Sequence, residues 1–194
     1  MHFFPIDEIK RKSFHLLILL YILAYWALPR TFVLEVFGAL ILAVITAELV
    51  RLRVPVFNRW LLTCLGGIHR EEETKGLSGL PWTLSGSFLT MLLFPDRAVV
   101  MISFFYLAFG DALAALVGRR FGRHRLVAGK TLEGSMACFV VCLAVGLVFL
   151  KLPVAVLGAL AATVIEIVPW PLNDNFWMPL FSASALTLLL PFFK

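Results

Sequence analysis

One stretch of 26 residues, Gly110 to Ser135, holds the groups best suited to chemistry: GDALAALVGRRFGRHRLVAGKTLEGS. Asp111 sits among small and apolar residues. A carboxylate in hydrocarbon costs roughly 3 kcal/mol or more and is usually kept for function. Five basic residues then fall within seven positions: Arg119, Arg120, Arg123, His124 and Arg125. A Gly129-Lys130-Thr131 turn leads into the next apolar run, which opens with Glu133, Gly134 and Ser135. Free amides at a helix start, together with Lys130, suit a polyphosphate. The turn is not a nucleotide P-loop. That motif needs a glycine where His124 stands, and a preceding strand. Carboxylates able to bind a metal, set beside a phosphate-binding loop, point to nucleotide chemistry at a membrane surface.

The elements that carry these residues are membrane helices. The chain has 194 residues, 61% of them hydrophobic, and a mean hydropathy of +0.94. Soluble domains have roughly 45–50% apolar residues, so the expected class is all-α, a polytopic helical bundle forming a single membrane domain over 1–194. The net charge of +5 fits cytoplasmic loops and anionic lipid better than nucleic acid, which is not expected as a partner. Three cysteines give no disulfide framework. Cys138 and Cys142, one helical turn apart in an apolar run, read as packing. The first apolar run has no small-residue cleavage site, so no removable signal is expected.

Seven spans are expected, at 13–28, 31–50, 77–95, 98–118, 132–150, 153–169 and 176–193, with prolines at many junctions. With the N-terminus cytoplasmic, 13 of the 17 Lys and Arg fall on the inner side, leaving Arg30, Arg97, Lys151 and Lys194 outside. The segment from 51 to 75 is too polar to cross. Helical spacing of Val56, Phe57, Trp60, Leu61, Cys64, Leu65 and Ile68 predicts a helix along the inner interface, about 53–68. The HREEETK run at 69–75 reads as a solvated turn.

On this topology Glu48, Glu133, Glu166 and Asp174 gather with Asp111 in the cytoplasmic half. Asp111 lies ~10 Å below the basic loop, at 1.5 Å of helix rise per residue. Glu48 and Glu166 also have a plainer reading, as partners of Arg51 or a loop arginine. Taken together, the five suit Mg²⁺, which takes a few carboxylates and fills its other positions with water and phosphate oxygens. Gly110, Ala114 and Gly118, at intervals of four, form a small face for close helix packing beside a row of Asp111 and Ala115. Arg11, Lys12 and His15 lie within a turn at the inner mouth of the first span, where phosphate binding or a base role competes with an ordinary interface role.

These pieces resemble, in order, the CTP-dependent lipid kinases that include dolichol kinase, phytol kinase and the yeast-type diacylglycerol kinase. RKSFH (11–15) resembles that family's Arg-Lys-x-x-His. HREEETKGLSGLPW (69–82) is similar to its acidic segment before a glycine-rich span. The Gly110–Ser135 stretch matches its centre, and ATVIEIVPWPLNDNFWMPL (162–180) its ending. The resemblance implies CTP as phosphoryl donor, Mg²⁺ as cofactor and a membrane lipid alcohol as acceptor, with the site on the cytoplasmic side. It implies nucleotide binding by a loop over 118–135 that includes Arg119, Arg120, Arg123, Arg125, Gly129, Lys130, Thr131, Gly134 and Ser135, aided by Arg11 and Lys12. Asp111, Lys130, Glu133 and His15 are the expected catalytic groups. Asp111, Glu48, Glu133, Glu166 and Asp174 are the expected metal ligands, and Asn175 the expected contact to the lipid.

Phosphatidate cytidylyltransferases carry a similar central stretch but end in a Gly-His-Gly-Gly…Asp-Arg signature that this chain lacks, so CDP-lipid synthesis is the nearer alternative. A transporter or scaffold is the farther one. Transporter sites lie at the midplane between repeated halves, whereas these charges crowd one face and no repeat is visible. Thin helical bundles often dimerise, and a homodimer is compatible with this one.

Overall fold

The computed structural model describes residues 17–64, 74 and 76–193. Arg11, Lys12, His15 and the run 69–73 lie outside the described residues. The described chain forms eight helices: α1 Ile18–Ala27, α2 Arg30–Arg53, α3 Pro55–Cys64, α4 Gly79–Leu93, α5 Arg97–Phe121, α6 Leu132–Phe149, α7 Leu152–Ile167 and α8 Asp174–Leu189. A 3₁₀ turn, Leu190–Phe193, extends α8. The only bridge of β type among the described residues pairs Arg125 with Thr131. The all-α expectation is borne out. Four helices, α2, α5, α6 and α8 with its extension, are long and apolar enough to cross a membrane, and α1 and α7 are shorter apolar helices. The segment expected along the interface is helical over Pro55–Cys64, with no buried residue and with Phe57 stacked on Trp60.

Polar side chains fix the two ends of the bundle. At one end Arg30 donates to the carbonyls of Met91 and Leu92 at 2.8 and 3.0 Å, serving carbonyls that the end of α4 cannot satisfy. Arg97 does the same for Trp26 and Leu28, with its guanidinium 5.6 Å from the centre of the Tyr25 ring. At the far end of α2, Arg51 is fully buried. It donates to Glu48 (2.7 Å), Asn58 (2.9 Å) and the Gly76 carbonyl (2.7 Å). Glu48 in turn accepts from the Ser78 amide and hydroxyl at 2.9 and 3.1 Å. One buried ion pair thus ties α2, α3 and the start of α4.

The central helix is α5. Its middle, Tyr106–Asp111, is a π-turn that a continuous apolar pattern does not reveal. An extra residue in a turn advances the helix phase by roughly 100°, so the π-turn sets which way Asp111 faces. Beyond it, α5 lies against α6 on the small-residue face expected from the sequence. A Cβ on Gly134 would stand 2.6 Å from the Ala114 carbonyl oxygen, and one on Gly118 would stand 2.7 Å from Thr131 Oγ1. Gly110 meets Cys138 and Cys142, both buried, which bears out their reading as packing residues.

The α5–α6 seam yields a stability prediction. Gly134→Val should lower the detergent melting temperature, at an overpacking cost of about 1–3 kcal/mol, because backbone rather than a flexible side chain blocks the new methyls. An unchanged melting temperature would show that the helices are farther apart than described.

Candidate active site

At the end of the bundle opposite Arg30 and Arg97, α5 finishes, α6 begins, α7 ends and α8 starts. Between them is a cavity of about 400 Å³. Asp111, Glu166 and Asp174 line it from three helices, and Arg119, Arg125, Gly129 and Lys130 line it from the α5 end and the loop. Asp111 and Glu166 are buried at 6% and 4% exposure, so their charges are largely out of water and must be met by protein groups or by a ligand.

Lys130 meets two of them. Its Nζ lies 2.7 Å from Glu166 Oε1 and 2.9 Å from Asp174 Oδ2. Burial alone would lower the lysine's pKa, but Asp174, Glu166 and Asp111 outweigh it and hold the ammonium well above the ordinary lysine range. The lysine is therefore a fixed positive charge. Glu166 is backed by Ser135, whose one hydroxyl proton is shared between Glu166 Oε2 at 3.3 Å and the Thr131 carbonyl at 3.1 Å.

The loop is built to present Lys130. Leu126 N–H donates to the Lys130 carbonyl at 2.8 Å and Lys130 N–H to Val127 at 3.1 Å, closing a tight turn. Inside it Ala128 (φ 53°) and Gly129 (φ 78°) are left-handed, a conformation that disfavours side chains and suits Gly129 best. Thr131 caps α6 by accepting from Gly134 N–H at 3.2 Å. Glu133, in the first helical turn, reaches back to His124. Its Oε1 is 2.7 Å from Nδ1, and both its oxygens accept from the His124 amide at 3.3 Å.

These positions sort and correct the expectations from sequence. Asp111, Lys130, Glu166, Asp174, Arg119, Arg125, Gly129, Thr131 and Gly134 all line the cavity. Arg120 and Arg123 are exposed on the same loop region but do not line it. Ser135 is buried behind Glu166 rather than facing the cavity as a phosphate donor. The convergence of five carboxylates reduces to three. Glu48 is committed to Arg51 and Ser78, the plainer of its two readings. Glu133 is committed to the loop, because its place in the first turn of α6 aims it at the His124 amide and ring. Among the described residues no three His, Cys, Asp or Glu side chains come close enough to make a metal site by themselves; an ammonium stands between two of the carboxylates. Asn175 follows Asp174 in the first turn of α8 and does not line the cavity. Its Oδ1 is buried and has no hydrogen-bond partner. Sequence reasoning missed the π-turn, the His124–Glu133 brace and the support of Glu166 by Ser135. Only Thr131 with Glu133 two positions on carried a readable helix-start signal.

Known proteins add the relationship. Over 198 residues the chain is 31% identical to an uncharacterised protein of Rickettsia prowazekii, covering 93% of this chain and 94% of that one. It is 31% identical over 139 residues to CTP-dependent diacylglycerol kinase 1 of Saccharomyces cerevisiae, covering 69% of this chain and 47% of the kinase. By these matches the chain is a homologue of CTP-dependent diacylglycerol kinases. The Schizosaccharomyces pombe kinase of the same name is 30% identical over 97 residues, covering 49% of this chain and 44% of the kinase. The chain thus spans about half or less of the yeast kinases it matches. No protein-family model matches it, and no solved structure does.

The two charged clusters should respond differently to substitution. Arg51→Met leaves Glu48 buried without its cation and should cost about 3–5 kcal/mol of stability, read as a lower melting temperature. Lys130→Ala should weaken nucleotide binding, and Lys130→Arg should restore it only in part, because the planar fork differs from a compact ammonium in reach and geometry. Equal nucleotide affinity in wild type and Lys130→Ala would remove the loop from the site.

Proposed function

We propose that the protein is an integral membrane kinase that transfers the γ-phosphoryl group of CTP to a lipid alcohol, with the site on the cytoplasmic side. The observation that carries this reading is the cavity in which carboxylates of α5, α7 and α8 surround Lys130 beneath a basic loop. Phosphoryl transfer is mostly positioning and charge neutralisation, and this residue set is suited to both. The names of the yeast relatives favour CTP as donor and diacylglycerol as acceptor. An isoprenoid alcohol or polyprenol presents its hydroxyl at the same depth and is the second acceptor class. The single-domain organisation, the nucleotide loop over 118–135 and the surface role of α3 belong to the same reading. So does the inner placement of the site, supported by the bias of Lys and Arg to one side.

In this account Arg119, Arg125 and Lys130 hold the triphosphate, with the free amides at the start of α6 beside them. Arg120 and Arg123, on the rim, attract it. A divalent cation fits the donor set, since Glu166 and Asp174 already grip the positive charge of Lys130 at hydrogen-bonding distance. Glu166 and Asp174 would hold Mg²⁺, with phosphate oxygens and water completing its shell and Ser135 backing Glu166. Bound Mg²⁺ supplies charge neutralisation across the phosphate oxygens. Asp111, at the deep end of the cavity, is the group best placed to accept the proton of the entering hydroxyl. Asn175 is the proposed lipid contact, with an unpaired carbonyl oxygen beside Asp174. Roles for Arg11, Lys12 and His15 rest on the family resemblance. Glu133 serves the loop through His124 rather than the metal, and Glu48 serves the fold.

Purified protein incubated with lipid extract and either γ-labelled or α-labelled CTP tests the reading. Label should enter lipid only from the γ position; entry only from α would identify a cytidylyltransferase, and entry from neither would exclude both enzymes. Asp111→Asn should stay folded while losing more than about tenfold in turnover, a cost above ~1.4 kcal/mol in the barrier. Smaller loss would make Asp111 structural.

A further inference from the structure

We infer that Lys130 is a placeholder for the divalent cation: its ammonium fills the position between Glu166 and Asp174 until a nucleotide triphosphate draws it away, so that metal enters with nucleotide and not before it. This deepens the kinase reading and rests on it. The carboxylates come from different helices, α7 and α8, yet both lie within 2.9 Å of one Nζ. Their spacing is therefore already that of a pair sharing a cation. Ser135 Oγ lies 3.3 Å from the other oxygen of Glu166 and shares its proton with it, so that carboxylate is backed by protein whichever cation sits in front of it.

The lysine is the part that can move. Its backbone is fixed on both sides by the turn bonds to Leu126 and Val127. The ammonium, by contrast, ends a flexible four-carbon stem and lines a cavity that also contains Arg119 and Arg125. A triphosphate gathered by those arginines offers the ammonium new oxygens, and its departure would leave two adjacent carboxylates near Asp111 with no counter-charge. Two carboxylates plus phosphate oxygens and water are a common Mg²⁺ environment. Nucleotide and metal would then each strengthen the other's binding, as linkage requires. The nucleotide-free protein would be shielded from idle metal.

Mn²⁺ binding, followed by its EPR signal on detergent-purified protein without nucleotide or lipid, tests this. Wild type should bind Mn²⁺ weakly. Lys130→Met and Lys130→Gln should each bind at least about tenfold more tightly, within the usual range of coupling between sites. Adding Glu166→Gln or Asp174→Asn should abolish the gain. Lys130→Gln keeps much of the stem and can still hydrogen-bond, so it serves where Lys130→Met does not fold. Tight Mn²⁺ binding by nucleotide-free wild type would overturn the inference. So would unchanged affinity in the Lys130 variants, or a gain that survives loss of both carboxylates. Because no nucleotide or lipid is present, this result and that of the labelled-CTP assay stand or fall separately.

Discussion

A buried carboxylate in a membrane helix needs a counter-charge, and here Lys130 supplies it to Glu166 and Asp174 from a loop that belongs to neither of their helices. The geometry of this end of the bundle follows from that requirement. The loop must fold tightly to bring the lysine in, which explains the left-handed pair Ala128 and Gly129. The start of α6 must lie close to α5, which explains why Gly118 and Gly134 have no room for side chains. Glu166 needs a second partner on its free oxygen, and Ser135 provides one from the first turns of α6.

The second buried ion pair, Arg51 with Glu48, has the same physics and a different use. Its hydrogen bonds to Asn58 on α3, the Gly76 carbonyl and Ser78 at the start of α4 run to the fold. Nothing in it faces the cavity. A buried pair that several groups of the fold engage, and that lies outside the cavity, acts as a brace. The Lys130 cluster differs because a cavity lined by further cations adjoins it. That contrast, rather than the presence of charge in an apolar helix, separates a site from a brace.

Much of this was legible in the sequence, for definable reasons. Hydropathy and proline positions place the helices because the bilayer requires long apolar runs. The four-residue spacing of Gly110, Ala114 and Gly118 reports a packing face because helix geometry is periodic. Asp111 stood out as a charge in apolar surroundings, Lys130 as the cation of a tight turn, and Glu166 and Asp174 as carboxylates gathered at one end of the bundle. Glu48 and Glu133 stood out for the same reason but have partners elsewhere, and only three-dimensional contacts distinguish the cases. The π-turn at Tyr106–Asp111 leaves no mark in a uniformly apolar run. The reach of Glu133 back to His124 depends on a loop path set by hydrogen bonds rather than by residue type.

The central claim is a single site at the cytoplasmic end of the bundle, to which the basic loop and the start of α8 both contribute. Sidedness tests it most directly. With Cys64 replaced by serine and only the buried Cys138 and Cys142 left, cysteines introduced by His124→Cys and Asn173→Cys should react with an impermeant thiol reagent only from the cytoplasmic face. Those from Thr31→Cys and Pro95→Cys should react only from the opposite face. If His124→Cys and Asn173→Cys were labelled from opposite faces, Lys130 and Asp174 could not share a cavity, and the account would be contradicted at its foundation.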